Sequence, residues 1–153
     1  MTVVNVYAPT TASEKYTFFE ELVDVIRTIQ VEGLLICGSF SCVLDNELDV
    51  ISDGKHAVST VKKFTEKLSD FDLYDTWRLF HGDSKDFAWS KRSPFVARRR
   101  DFILSTSGVS DKIIDRHIIS VPTSDHRGRF IHVKLNEIAK EVSSPFRGTN
   151  AKL

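Results

Sequence analysis

The apolar residues of this chain change period several times, and each change marks an element. Residues Thr2-Val3-Val4-Asn5-Val6-Tyr7-Ala8 are mostly β-branched or aromatic and are stopped by Pro9-Thr10-Thr11, which predicts an opening strand. Ser13 reads as an N-cap with Glu14 in the first turn. Behind them Phe18, Phe19, Leu22, Val23, Ile26 and Ile29 recur at helical spacing, predicting an amphipathic helix to about Gln30. Gly33 is read as its stop, and Leu34-Leu35-Ile36-Cys37 as a short buried strand. Strand, helix, strand predicts a βαβ-like unit with parallel neighbours and a right-handed crossover.

Residues 45–57 are polar and contain Gly, so a loop is expected there. Val58, Val61, Phe64 and Leu68 mark a second helix, and 75–80 a short third one. From Phe87 onward strands dominate, around 87–90, 101–105, 116–121 and 129–133, with a last short helix at 135–142. The tail 143–153 has Pro145, Gly148 and no periodicity, which predicts mobility. Without an internal repeat or low-complexity tract, the pattern reads as one α/β domain over 1–142.

Composition narrows the class only a little. The chain has 153 residues, 41% hydrophobic and 27% charged, enough to enclose a core without disulfide or metal staples. Lys plus Arg and Asp plus Glu are both 21, so net charge gives no hint of a nucleic-acid partner. The two cysteines, Cys37 and Cys42, flank a Gly turn and read as small buried residues of a reducing compartment. No second Cys/His pair at ligand spacing accompanies them, so no zinc site is expected. No apolar run is long enough for a membrane span and no basic region opens a signal peptide; a cytoplasmic or nuclear, intracellular location is expected.

The chemistry is carried by motifs in order. Val4-Asn5-Val6-Tyr7-Ala8-Pro9 comes first, then Leu35-Ile36-Cys37-Gly38-Ser39-Phe40-Ser41 and Asp75-Thr76-Trp77-Arg78. Phe87-Ala88-Trp89, Arg99-Arg100-Asp101-Phe102-Ile103-Leu104 and Ser124-Asp125-His126 follow. Each is weak alone, but their order and spacing resemble the exonuclease–endonuclease–phosphatase superfamily, most closely the endonuclease domain of LINE-type (non-LTR) retrotransposons. The resemblance covers roughly residues 2–133 and implies a two-sheet α/β sandwich. It also implies a partial one, lacking the N-terminal strand–helix–strand portion with its Asn and metal-binding Glu.

Carried over by position, the resemblance pairs His126 with Asp101, makes Asp125 a metal-side carboxylate and aims the Tyr7 hydroxyl at the scissile phosphate. Taken alone, Tyr7 is equally a strand-end rim aromatic and Asp125-His126 a polar turn. The family turn reads Gly-Asp-Phe-Asn, whereas here Ser39 replaces the Asp and Ser41 the Asn. A hydroxyl neither acts as the water-activating base nor brings negative charge to a cation. The family uses Mg²⁺; with carboxylates missing, no cofactor and no tightly bound metal is expected in this chain. The resemblance therefore implies a catalytically degenerate domain. A residual Mg²⁺-dependent phosphodiesterase, completed by a second chain, is the alternative.

Lys85, Lys91, Arg92, Arg98, Arg99 and Arg100 crowd one region among Phe87, Trp89 and Phe95. Cations interleaved with aromatics suit DNA or RNA phosphates and bases; a solvated hairpin rim is the equal alternative. An Arg just before Asp101, where the family is apolar, suggests an exposed strand face. Half a sandwich also leaves open edges and an apolar face, from which a homodimer is expected.

Overall fold

A computed structural model describes residues 1–29, 33–52, 62–93, 95–124 and 126–135, without the side chains of residues 62 and 63. The opening strand β1 (Thr2–Tyr7) leads through helix α1 (Ala12–Thr28) to β2 (Leu34–Ser39), and β1 pairs parallel to β2. Next come β3 (Val50–Ser52), α2 (Lys62–Leu68), β4 (Leu73–Asp75) and α3 (Thr76–His81). The hairpin β5 (Trp89–Arg92) and β6 (Phe95–Arg98) runs into β7 (Asp101–Thr106). A short helix α4 (Ser107–Ser110) and the pair β8 (Ile113–Ile119) and β9 (Gly128–Val133) complete the described residues.

Strands β1-β2-β7-β4 form one sheet, with β7 antiparallel to both β2 and β4. A second sheet is β3-β6-β5, and the β8-β9 ribbon is linked to it by a bridge between Trp89 and His126. Side-chain alternation sends Val4, Val6, Leu34, Ile36, Phe102 and Leu104 to one face of the four-stranded sheet. There they meet the α1 stripe of Phe19, Leu22, Val23 and Ile26, with Phe64 and Leu68 of α2 beside it. Phe40 completes this core, stacked with Phe19 and edge-on to Phe102. On the opposite face of β1, Val3 is 55% and Tyr7 81% exposed. No helix among the described residues is long and apolar enough to cross a membrane.

Several local expectations need correction. The N-cap of α1 is Thr11 rather than Ser13, and its hydroxyl bonds the Glu14 carboxylate instead of a backbone N–H. The helix closes at Ile29, whose N–H donates to Val25 and Ile26, so it does not run on to Gly33. β2 continues past Cys37 to Ser39, and Cys37 is half-buried where only Cys42 is buried. The expected loop 45–57 contains β3, while β4 and β6 lie where no strand was expected. These strands are three or four residues long, too short for period-2 alternation to stand out. The helix and tail expected at 136–153 lie outside the described residues.

Candidate functional site

Four of the sequence candidates fall into one row. In the sheet register Tyr7 lies beside Ser39, and Ser39 lies opposite Asp101. His126, bridged to β5, places its Nδ1 3.0 Å from Asp101 Oδ2. An Nδ1–H donated to that carboxylate fixes the tautomer and leaves Nε2 to act as base or acceptor. The row continues into a cavity of about 580 Å³ between the four-stranded sheet and β9. Ser39, Asp101, His126, Arg127 and Arg129 line it, and Asp101 is the sole carboxylate among its described lining residues. Cys37 also lines it, but burial pushes that thiol up, away from the nucleophilic thiolate. Burial pushes the Cys42 thiol up to about 12. Asp125 lies outside the described residues.

The turn that carries Ser39 and Ser41 is shaped by backbone demands. Gly38 has φ +134°, and a Cβ there would stand 1.9 Å from the Val6 carbonyl oxygen, its own partner across β1. Only glycine fits that approach. Phe40 anchors the turn in the core and donates its N–H to Arg100 O at 2.9 Å. Ser41 sits in the left-handed region, φ 49°, where Asn is better tolerated than Ser. Its hydroxyl donates to Ala8 O at 2.8 Å, so it ties the turn to the end of β1.

Next to the row lies an ion cluster that sequence reasoning missed. Asp49, fully buried, accepts from Arg78 Nη2 at 2.5 Å and from Arg99 Nε and Nη2 at 2.7 and 3.1 Å. Arg99 Nη2 also donates to Asp75 Oδ2 at 2.5 Å, and Asp75 Oδ1 caps α3 through the Trp77 N–H. Arg99 is 1% exposed. Burial alone would lower its pKa, but the hydrogen bonds and charges of Asp75 and Asp49 outweigh it and raise the value. Arg99 is therefore a correction: it belongs to the interior and not to a basic surface. The only signal available was the run Asp75-Thr76-Trp77-Arg78, whose charges carried no assigned role.

The rest of the basic region divides. Lys85, Lys91 and Arg92 are exposed, with Phe95 exposed beside them. Arg98 is half-buried, and burial, reinforced by Arg100, lowers its pKa. Arg100 does not mark an open strand face, because its guanidinium lies 4.7 Å from the centroid of the Trp89 ring and is half-buried there. Arg127 donates to Asp86 Oδ1 at 2.5 Å and to Phe87 O at 3.3 Å. Arg129, also missed, has Nε and Nη2 buried without an acceptor. It alternates with apolar neighbours in β9 and so carried no motif.

Mg²⁺ would ask for several hard oxygen ligands. Among the described residues no group of three His, Cys, Asp or Glu is placed to hold a metal ion, so the residues in view do not fit one.

No family model matches the chain. Over 133 residues it is 31% identical to the Transposon TX1 uncharacterized 149 kDa protein of Xenopus laevis, a stretch covering 80% of this chain and 10% of that protein. The fold is similar to the Xenopus laevis APE2 catalytic domain, with TM-score 0.70, 19% identity and coverage of 86% of this chain and 49% of that one. It is also similar to the Neisseria 3′ phosphatase NExo bound to a product DNA hairpin, with TM-score 0.63, 18% identity and coverage of 86% and 60%. The chain thus spans a tenth of the transposon protein and between half and three-fifths of the two structures.

Proposed function

For a chain that belongs to the exonuclease–endonuclease–phosphatase superfamily and is related to a transposon-encoded protein, we propose a nucleic-acid-binding role with strongly impaired hydrolysis. The observation that carries this reading is the cleft itself, where the Asp101–His126 pair is intact beside serines at 39 and 41. In this chain Asp101 orients the imidazole and His126 holds or moves a proton at Nε2. Ser39 offers one hydroxyl and no charge, and Ser41 spends its hydroxyl on Ala8 O. Hydrolysis needs stabilisation of charge on the phosphoryl oxygens together with an activated water, and groups that act as a unit fail together. Binding needs much less. The exposed Lys85, Lys91, Arg92 and Phe95 supply phosphate and base contacts of the kind used by single-strand binders.

A nicking assay on supercoiled plasmid with Mg²⁺ or Mn²⁺ tests the first half. The expected result is cleavage no greater than a metal-free blank. Metal-dependent cleavage that His126→Ala abolishes would overturn it. Binding of a labelled oligonucleotide tests the second half, with affinity falling steeply as salt is added and weakened by Lys91→Ala with Arg92→Ala. An affinity indifferent to salt contradicts the binding role.

A second reading is favoured by the exposed edge and face of β1, with Val3 and Tyr7 open to solvent. A second copy covering that face makes a homodimer and brings further side chains to the Tyr7 end of the row, giving a residual phosphodiesterase. Light scattering at micromolar concentration decides this. A monomeric mass removes the reading.

A further inference from the structure

Around the cleft the charges are matched one by one, with one exception. Arg127 is paired with Asp86, Arg78 and Arg99 share Asp49, Arg99 also holds Asp75, and His126 holds Asp101. Arg129 lines the same cavity and has no carboxylate at ion-pair distance among the described residues. Its Nε and Nη2 are buried without an acceptor, and its guanidinium lies 5.6 Å from the centroid of the Trp77 ring. A ring face compensates a buried cation only in part, because it satisfies no N–H. Burial, reinforced by Arg99, lowers the Arg129 pKa to about 10, which is the mark of a cation short of counter-charge. A guanidinium stays protonated at neutral pH even so.

We propose that the cavity beside the Asp101–His126 pair is a metal-independent phosphate site in which Arg129 supplies the positive charge. The inference rests on the nucleic-acid-binding reading and adds the residue that holds the phosphate. The planar fork of Arg matches phosphate oxygens, and the Ser39 hydroxyl and the His126 ring lie on the same cavity wall as further hydrogen-bonding groups. The cavity, at about 580 Å³, has room for a phosphate together with part of a nucleotide. Arg129 thus takes over the charge-neutralising part that the lining carboxylate cannot recruit a metal to play. Free phosphate and a strand's own phosphate share this chemistry, and the test separates them.

The experiment titrates the full chain in EDTA, following the Arg129 Nε–H and His126 ring signals by NMR, first with inorganic phosphate and then with a 5′-phosphorylated single-stranded DNA oligonucleotide. Both signals are expected to shift saturably with either probe, and Arg129→Gln to weaken binding about tenfold, the loss of one charge-assisted contact. Absence of a shift in the wild type with tens of millimolar phosphate overturns the site, whatever the variant does. Phosphate bound equally well by Arg129→Gln also overturns it. An oligonucleotide held with undiminished affinity by the variant moves the contact to the basic hairpin, defeating the inference while the binding role stands. Phosphate bound through Arg129 without any oligonucleotide binding supports the site and defeats the nucleic-acid reading.

Discussion

Two neighbouring regions built from the same set of motifs have opposite characters. The cluster of Asp49, Asp75, Arg78 and Arg99 is closed on itself, with Arg99 sharing its donors between two carboxylates in the interior. The row of Tyr7, Ser39, Asp101 and His126 is open, ending at an 81%-exposed tyrosine and bordered by a cavity with one carboxylate. Charge in the first region is consumed by the fold; charge in the second is left available. A buried ion pair tolerates no missing partner, because the survivor is desolvated and uncompensated. An open site can lose a carboxylate and still fold. That asymmetry explains how serines can occupy positions 39 and 41 while the surrounding architecture stays in place.

The comparison predicts a graded set of outcomes. Asp49→Ala strands Arg78 and Arg99 and should cost about 3–5 kcal/mol of stability, read from the urea midpoint. Asp101→Asn, in the open row, should cost about 1 kcal/mol or less, since both partners are partly solvated. Equal losses for these two substitutions would erase the distinction between the regions.

A smaller effect is expected from pH. His81 stacks on Trp77 at 3.7 Å, and burial, followed by Arg116, lowers its pKa below the ordinary 6.5. The unfolded chain then binds the proton more tightly than the folded one. The His81 contribution is present above about pH 6.5 and is lost as pH falls toward the lowered folded value. Urea midpoints at pH 5 and pH 7.5 should differ in that direction, and His81→Phe should shrink the difference. The smallest change is expected for Ser41→Gly. Relief of the left-handed backbone and loss of the hydroxyl bond to Ala8 O nearly cancel, leaving stability within about 0.5 kcal/mol. A loss well beyond that would make the Ser41 tie a principal support of the turn.

Local periodicity was enough to make the core legible. Phe19, Leu22, Val23 and Ile26 on α1, and Leu34 and Ile36 on β2, were readable because burial imposes a 3.6-residue stripe on a helix and an apolar run on a covered strand. The parallel pairing of β1 with β2 followed from the helix between them. The candidates Tyr7, Ser39, Asp101 and His126 were legible only as motifs in order. That one row contains them all depended on register, which no single segment carries.

Tertiary structure alone decided how the charges are used. Lys91, Arg92, Arg98, Arg99 and Arg100 stand close in sequence, yet the first two are exposed, Arg100 lies over Trp89, and Arg99 is sealed between Asp49 and Asp75. Asp49 and Arg99 are fifty positions apart and meet because β3 pairs with β6, a contact whose strands are too short to announce themselves. Arg129 looked like one more strand residue and became the unmatched cation of the cleft only once its neighbours had paired elsewhere. Burial is a property of segments and shows in the sequence. Charge compensation is a property of pairs brought together by the whole fold, and it does not.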